Sequence, residues 1–168
     1  MERSEWLARL PRNLYTADQV RALDRQAIEE YGIAGFELMK RAAASVLAHV
    51  LQRWPQARRL LVFTGSGNNA GDGYLLAALA REQGLRVTVL EAGDPARLGP
   101  DAARARTTAL AAEVPLLIFD SPEGRQVCES GAETVMIDAL LGIGLAGPVR
   151  PELQQAIAFL NALPAPVV

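Results

Sequence analysis

The spacing of apolar positions changes character along the chain, and the changes mark its elements. Val20, Leu23, Ala27 and Ile28 recur at helical spacing. They follow Thr16-Ala-Asp-Gln19, a capping-box pattern, and precede Gly32, a natural stop. A second helical pattern runs from about Phe36 to Leu51, with Leu38, Met39, Ala42, Val46 and Val50 as its apolar positions. Leu60 to Thr64 then reads as a short, continuously apolar strand that ends in glycines. A helix is expected from Asp72 to Glu82, with Gly84 past its end, and a strand over Arg86–Leu90. An Ala-rich helix over about Asp101–Ala112 follows, then a strand over Leu116–Phe119. Ser121 to Ser130 reads as a loop with a short helix. A fourth strand covers Thr134–Ile137, a glycine-rich loop Gly142–Gly147, and a helix about Glu152–Leu163. Ala165–Val168 has the look of a fifth strand beginning.

Strands that alternate with helices of ten or so residues predict an α/β fold with a parallel sheet. Right-handed crossovers then make a Rossmann-like, doubly wound sheet the economical topology, with helices on both faces in three α/β/α layers. Two helices ahead of the first strand are an addition. No repeat or long linker interrupts the pattern, so one domain over residues 1–168 accounts for it.

The composition narrows the function. Half of the residues are apolar and 21% are charged, as in ordinary globular proteins. A net charge of −2 provides no basic field for nucleic acid. Arg53, Arg58 and Arg59 read as a solvated cluster before the first strand. No run of about 18 apolar residues predicts a membrane span. The N-terminal MERSEWLARLPRNLY lacks the apolar core of a secretory signal, and Trp6 and Leu7 are expected to pack onto the domain. Cys128 is the single cysteine, which fits a reducing, cytoplasmic setting. With His49 the single histidine, neither a Cys-His pair nor a typical zinc set is expected.

Two motifs carry chemistry. The first is Gly65-Ser-Gly-Asn-Asn-Ala-Gly-Asp-Gly73, which follows a strand and opens a helix. Glycines allow tight turning and close approach to a ligand, and a helix N-terminus favours anions. The spacing matches neither GxGxxG nor a P-loop. Its distinctive part is Asn68-Asn69 with Asp72. Structurally, Asn68 could adopt a left-handed conformation and Asp72 could cap the helix. Functionally, the amides can bond a ribose, phosphate or carboxamide, and their carbonyls can bind a hard cation. The second motif is Asp138 in Val135-Met-Ile-Asp-Ala-Leu-Leu-Gly-Ile-Gly-Leu-Ala-Gly-Pro148. In the common doubly wound order the first and fourth strands are neighbours, and ligands bind at the switch point between their carboxyl ends. The two motifs should face each other there.

Together, GSGNNAGDG and IDALLGIGLAGPV resemble the NAD(P)H-hydrate epimerase family, the YjeF-type N-terminal domain. Leu38-Met39-Lys40-Arg41-Ala42 is similar to the family's Leu-Met-Glu-Arg-Ala, with Lys40 replacing an acid. The resemblance spans Thr16 to Val168. It implies interconversion of the R and S epimers of hydrated NADH and NADPH (NADHX and NADPHX) at C6 of the nicotinamide ring. A companion ADP- or ATP-dependent dehydratase, fused or separate, would then repair the whole damaged pool. By position, Asn68, Asn69, Ala70, Gly71 and Asp72 would bind substrate. So would Gly142, Ile143, Gly144, Leu145, Ala146, Gly147 and Pro148, the last loop through backbone N–H groups around the pyrophosphate. Asn69 and Asp138 would hold a potassium ion. Epimerisation needs an acid/base at the C6 hydroxyl, and Asp138 is the candidate, with Asp72 second. A cation beside Asp138 would suit it to act as base or electrostatic anchor. The family continues into an Asp-x-Pro-Ser-Gly turn, so the sequence is expected to end before the domain's last strand–loop segment. A homodimer through the two leading helices is also expected.

Two other classes compete. Related domains in mRNA decapping enhancers serve assembly, so a non-catalytic binding or scaffold module is the alternative. Retention of both motifs favours the enzyme. An NAD dehydrogenase would require GxGxxG and an acid after the second strand; Glu91 suits the second requirement, but the glycine spacing fails the first.

Overall fold

The computed structural model describes residues 15–128, 131 and 133–168. Trp6 and Leu7 lie outside the described residues. The chain divides into two units, one ending at Ile33 and the other covering Ala34–Val168.

The first unit contains helix α1, Ala17–Glu29. Its start is the expected capping box: Thr16 Oγ1 accepts from the Gln19 amide and Gln19 Oε1 accepts from the Thr16 amide. The two reciprocal bonds satisfy N–H groups that a helix start leaves without intrahelical partners. None of the helix's residues is buried.

The second unit carries the sheet. Its elements are α2 (Gly35–Arg53), β1 (Arg59–Thr64), α3 (Asn68–Glu82), β2 (Arg86–Glu91), a 3-10 turn at Pro95–Arg97, and α4 (Pro100–Ala111). They continue with β3 (Leu116–Ile118), α5 (Pro122–Gln126), β4 (Thr134–Ala139) and α6 (Pro151–Ala162). All strand pairs are parallel, in the order β3-β2-β1-β4. The segment ending at Val168 adds a fifth position beside β4. The Met136 amide donates to the Pro166 carbonyl at 2.8 Å and the Val168 amide to the Met136 carbonyl at 2.9 Å. The expected neighbours, β1 and β4, pair along their whole length, with Phe63 opposite Asp138 and Thr64 opposite Ala139.

Strand alternation divides the core between the two faces of the sheet, because successive side chains point to opposite sides. Leu60, Val62, Val87, Val89, Val135 and Ile137 pack with residues of α2, α3 and α4. Leu61, Phe63, Leu90 and Met136 pack with Leu153, Ala156 and Leu160 of α6. Helices therefore cover both faces, giving the three expected layers. On the α6 side Phe119 stacks edge-on with Phe63 and Phe159, at centroid separations of 5.8 and 5.4 Å.

Two local expectations are corrected. The buried stripe of α2 is Met39, Ala43, Leu47 and Val50. Ala42 and Val46, expected on that stripe, are exposed, and Leu47 takes the inward place. The run of three alanines carries no signal about which one faces the core, so the period alone left the face one position out.

The second correction concerns α3, which begins at Asn68 and not at Asp72. Gly67 is its N-cap and Asp72 lies in its second turn, so Asp72 is no cap. Asn68 is helical: among the described non-glycine residues only Glu113 has a positive φ. Gly71 and Gly73 look like helix breakers, yet the packing requires small residues there. A Cβ on Gly73 would lie 2.6 Å from the Ala139 Cβ, and one on Gly71 would lie 3.0 Å from the Ala102 Cα. Close approach of α3 to β4 and α4 outweighs the roughly 1 kcal/mol per residue that glycine costs in a helix.

Candidate active site at the switch point

The carboxyl ends of β1 and β4 continue into two loops that touch backbone to backbone. The Gly65 amide donates to the Ala139 carbonyl at 3.1 Å, extending the strand pairing by one step. Any side chain on Gly65 would overlap the Leu140 carbonyl oxygen, so only glycine permits this contact. Gly93, after β2, closes on the same point: a Cβ there would lie 2.5 Å from the Gly65 carbonyl carbon. These backbones form the floor of a crevice at the topological switch point, where doubly wound sheets bind ligands.

The two motifs meet above that floor. Asn69, in the first turn of α3, donates from Nδ2 to the Leu141 carbonyl at 2.9 Å. Gly142 lies against the same side chain, since a Cβ there would stand 3.2 Å from the Asn69 Cβ. Asp138 is in β4 and its side chain is exposed. By alternation it belongs to the face of Met136 and Leu140, at the strand's open end. Its Oδ1 accepts from the Leu140 amide at 3.0 Å, which fixes the carboxylate against its own turn.

The remaining expected residues divide by burial. Asn68 is exposed and Asp72 half-buried, whereas Ala70 and Gly71 are buried in the packing of α3. Residues 142 to 148, from Gly142 through Ile143, Gly144, Leu145, Ala146 and Gly147 to Pro148, are exposed throughout. An uncharged, glycine-rich loop whose exposed side chains are apolar can offer a ligand only its backbone groups.

The crevice has a further member that the motifs did not reveal. Arg150, the N-cap residue of α6, donates from Nη2 to Ser66 Oγ at 2.6 Å. This bond ties the loop after β4 to the loop after β1. Nothing in the sequence links positions 84 residues apart.

Glu91, the acid at the end of β2 that a dehydrogenase would require, is engaged elsewhere. It is buried, accepts from the Tyr74 hydroxyl at 2.6 Å, and forms an ion pair with Arg106 at 2.6 Å. Thr64 Oγ1 extends the network to Tyr74 at 3.4 Å. Burial, reinforced by the bond to Glu91, pushes the Tyr74 phenol well above its ordinary range. Cys128 is buried and hydrogen-bonded to the Gly124 carbonyl. Burial pushes its thiol up even though Arg125 and Arg59 oppose the shift, which suits a structural residue better than a nucleophile.

No group of three or more His, Cys, Asp and Glu among the described residues could hold a metal ion. A hard monovalent cation would draw instead on amide, carboxylate and backbone oxygens. The donor chemistry of Asn69 and Asp138 fits such an ion: the Asn69 Nδ2 is spent on Leu141, which leaves its Oδ1, and Asp138 has a second carboxylate oxygen. Among the described residues, no helix is long and apolar enough to cross a membrane.

A parallel doubly wound sheet with an amide- and carboxylate-lined crevice at its switch point defines a class of ligand-binding α/β proteins. Within that class, the chain belongs to the family described as YjeF-related protein N-terminus, whose model matches residues 35–168. It is similar to a bifunctional NAD(P)H-hydrate repair enzyme of Coxiella burnetii, with 43% identity over 148 residues. That match covers 88% of this chain but 29% of the relative, so the chain spans under a third of that protein. It is also similar to an NAD(P)H-hydrate epimerase of Limosilactobacillus reuteri, 33% identical, with 92% of this chain and 70% of the relative covered. The crystal structure of the yeast protein ynu0 shares the fold, with a TM-score of 0.77 at 21% identity over 93% of this chain and 69% of that one.

Proposed function

We propose that this chain is an NAD(P)H-hydrate epimerase domain, an isomerase that interconverts the R and S forms of NADHX and NADPHX. One observation carries the proposal: the Asn69 amide bridges to Leu141, so that the Asn-Asn motif and the Asp138 strand end bound one crevice. Relatives that bear the epimerase name match over most of this chain and support it.

The substrate is a carbinolamine at C6. Its hydroxyl can leave as water once protonated, with the ring nitrogen lone pair forming the iminium. Water then adds to either face and gives up a proton. Each direction needs one group that donates and then reclaims a proton beside C6, and Asp138 is the exposed carboxyl available for it. Asn68 and Asn69 would orient polar groups of the substrate, and backbone N–H groups of residues 142–148 would face the pyrophosphate. Asn69 and Asp138 would hold potassium, which would supply fixed positive charge next to the substrate's oxygens. A fused or separate ADP- or ATP-dependent dehydratase, a homodimeric state and a cytoplasmic location complete the proposal.

The test is epimerisation of purified R- or S-NADHX in potassium buffer, resolved by chromatography against an enzyme-free control. Acceleration by the chain, abolished by Asp138→Ala, is the expected result. Ligand binding without acceleration would instead identify a non-catalytic binding module.

A further inference from the structure

We infer that Arg150 is a phosphate-binding residue of the crevice, one that takes the diphosphate of the dinucleotide; the inference rests on the epimerase proposal for this site. It is the only basic residue in either site segment, since residues 64–80 and 126–149 contain no Lys or Arg. The charged side chains of the two motifs are the carboxylates of Asp72 and Asp138. Of the two loop segments, only this end of the second supplies a cation, and that cation stands at their seam.

The position of Arg150 is built on both sides. Its carbonyl accepts from the Leu153 and Gln154 amides at 3.0 Å each, which pins its backbone to the first turn of α6. Its side chain crosses to Ser66 at 2.6 Å, and its Nε lies 3.4 Å from the Glu152 carboxylate. The side chain is 31% exposed, so it lies along the crevice wall with an accessible edge.

A neutral hydroxyl is a weak partner for a guanidinium. The planar fork of five donors matches two phosphate oxygens far better than one Ser Oγ. A diphosphate would displace the serine, which gives up a single neutral bond and takes no part in holding the phosphate. Arginine is the side chain suited to such bidentate recognition, and lysine offers only a point charge.

The test compares wild type, Arg150→Ala, Arg150→Lys and Ser66→Ala, each checked for an unchanged thermal melt. Calorimetry with ADP-ribose and with adenosine isolates the diphosphate contribution. Epimerisation kinetics on NADHX and NADPHX supply KM and kcat separately. Arg150→Ala should weaken ADP-ribose binding and raise KM roughly tenfold to a hundredfold, the range of a charge-assisted hydrogen bond. It should leave adenosine binding unchanged, with Arg150→Lys intermediate and Ser66→Ala close to wild type. Equal losses in Ser66→Ala and Arg150→Ala would show a loop latch and overturn the inference. So would an effect on NADPHX alone, which would assign Arg150 to the extra phosphate. An active wild type with an Arg150→Ala variant unchanged in KM would refute the Arg150 role and leave the epimerase proposal standing. Arg150-dependent ADP-ribose binding in a wild type that epimerises nothing would do the reverse.

Discussion

The side-chain amide of Asn69 donates to the main-chain carbonyl of Leu141 at 2.9 Å and joins the helix after β1 to the turn after β4. Replacing Asn69 by Ala removes this half-buried bond. The expected loss is about 1 kcal/mol, or roughly 2–4 °C in Tm for a chain of this size. Asn69→Asp is nearly isosteric but sets a carboxylate against the carbonyl oxygen, and should melt lower than Asn69→Ala. On the proposed function, both should also lose epimerase activity. A circular-dichroism melt in which Asp is better tolerated than Ala would contradict the donor assignment.

Substitution of Asp138 tests the proposed catalytic role apart from stability. Its side chain is exposed, and Asp138→Asn keeps an oxygen to accept from the Leu140 amide. The variant should melt within about 2 °C of wild type, since exposed substitutions change stability little. Its epimerisation rate should fall by about 10²- to 10⁴-fold, the usual contribution of a general acid/base. Chromatographic rates equal to wild type would remove Asp138 from the reaction.

The sheet and its switch point were legible because β1 and β4 are apolar runs that end in glycine and in a solitary Asp138. Parallel strands buried on both faces leave that signature. The start of α3 was not legible, because Gly71 and Gly73 oppose helix locally and are accepted only where α3 presses on α4 and β4. The burial of Ala70 and Gly71 follows from the same packing. The place of Arg150 was not legible because its link to Ser66 is tertiary. Glu91 was visible as a strand-end acid, but its bonds to Tyr74 and Arg106 come from elements that the sequence does not align.

Gly73 gives that packing a sign that can be tested. In an isolated helix Gly→Ala would stabilise by about 1 kcal/mol. Here the new Cβ would meet the Ala139 Cβ at 2.6 Å and the Thr64 Cγ2 and Val62 Cγ1 at 3.2 Å. Overpacking of this kind costs about 1–3 kcal/mol, so Gly73→Ala should lower Tm in a thermal melt. A rise in Tm would mean that α3 is not held against the sheet in this way.

Tyr74 should make stability fall at alkaline pH. Burial, with the Glu91 carboxylate beside it, holds the phenol's ionisation above the ordinary tyrosine value of about 10. The unfolded chain releases that proton first as pH rises. The stabilisation linked to protonated Tyr74 is therefore complete below about pH 10 and is lost progressively above it. Tyr74→Phe removes both this titration and the bond to Glu91. The variant should start less stable at neutral pH, by about 1–3 kcal/mol for a buried acceptor that loses its donor. Its Tm should then decline less steeply than wild type between pH 9 and 11, a window set around that tyrosine value. The comparison cancels the other groups that titrate in this range, because they are common to both proteins. Parallel melting curves across the window would show that Tyr74 ionises as freely in the folded protein as in the unfolded chain, and would remove it from the buried network.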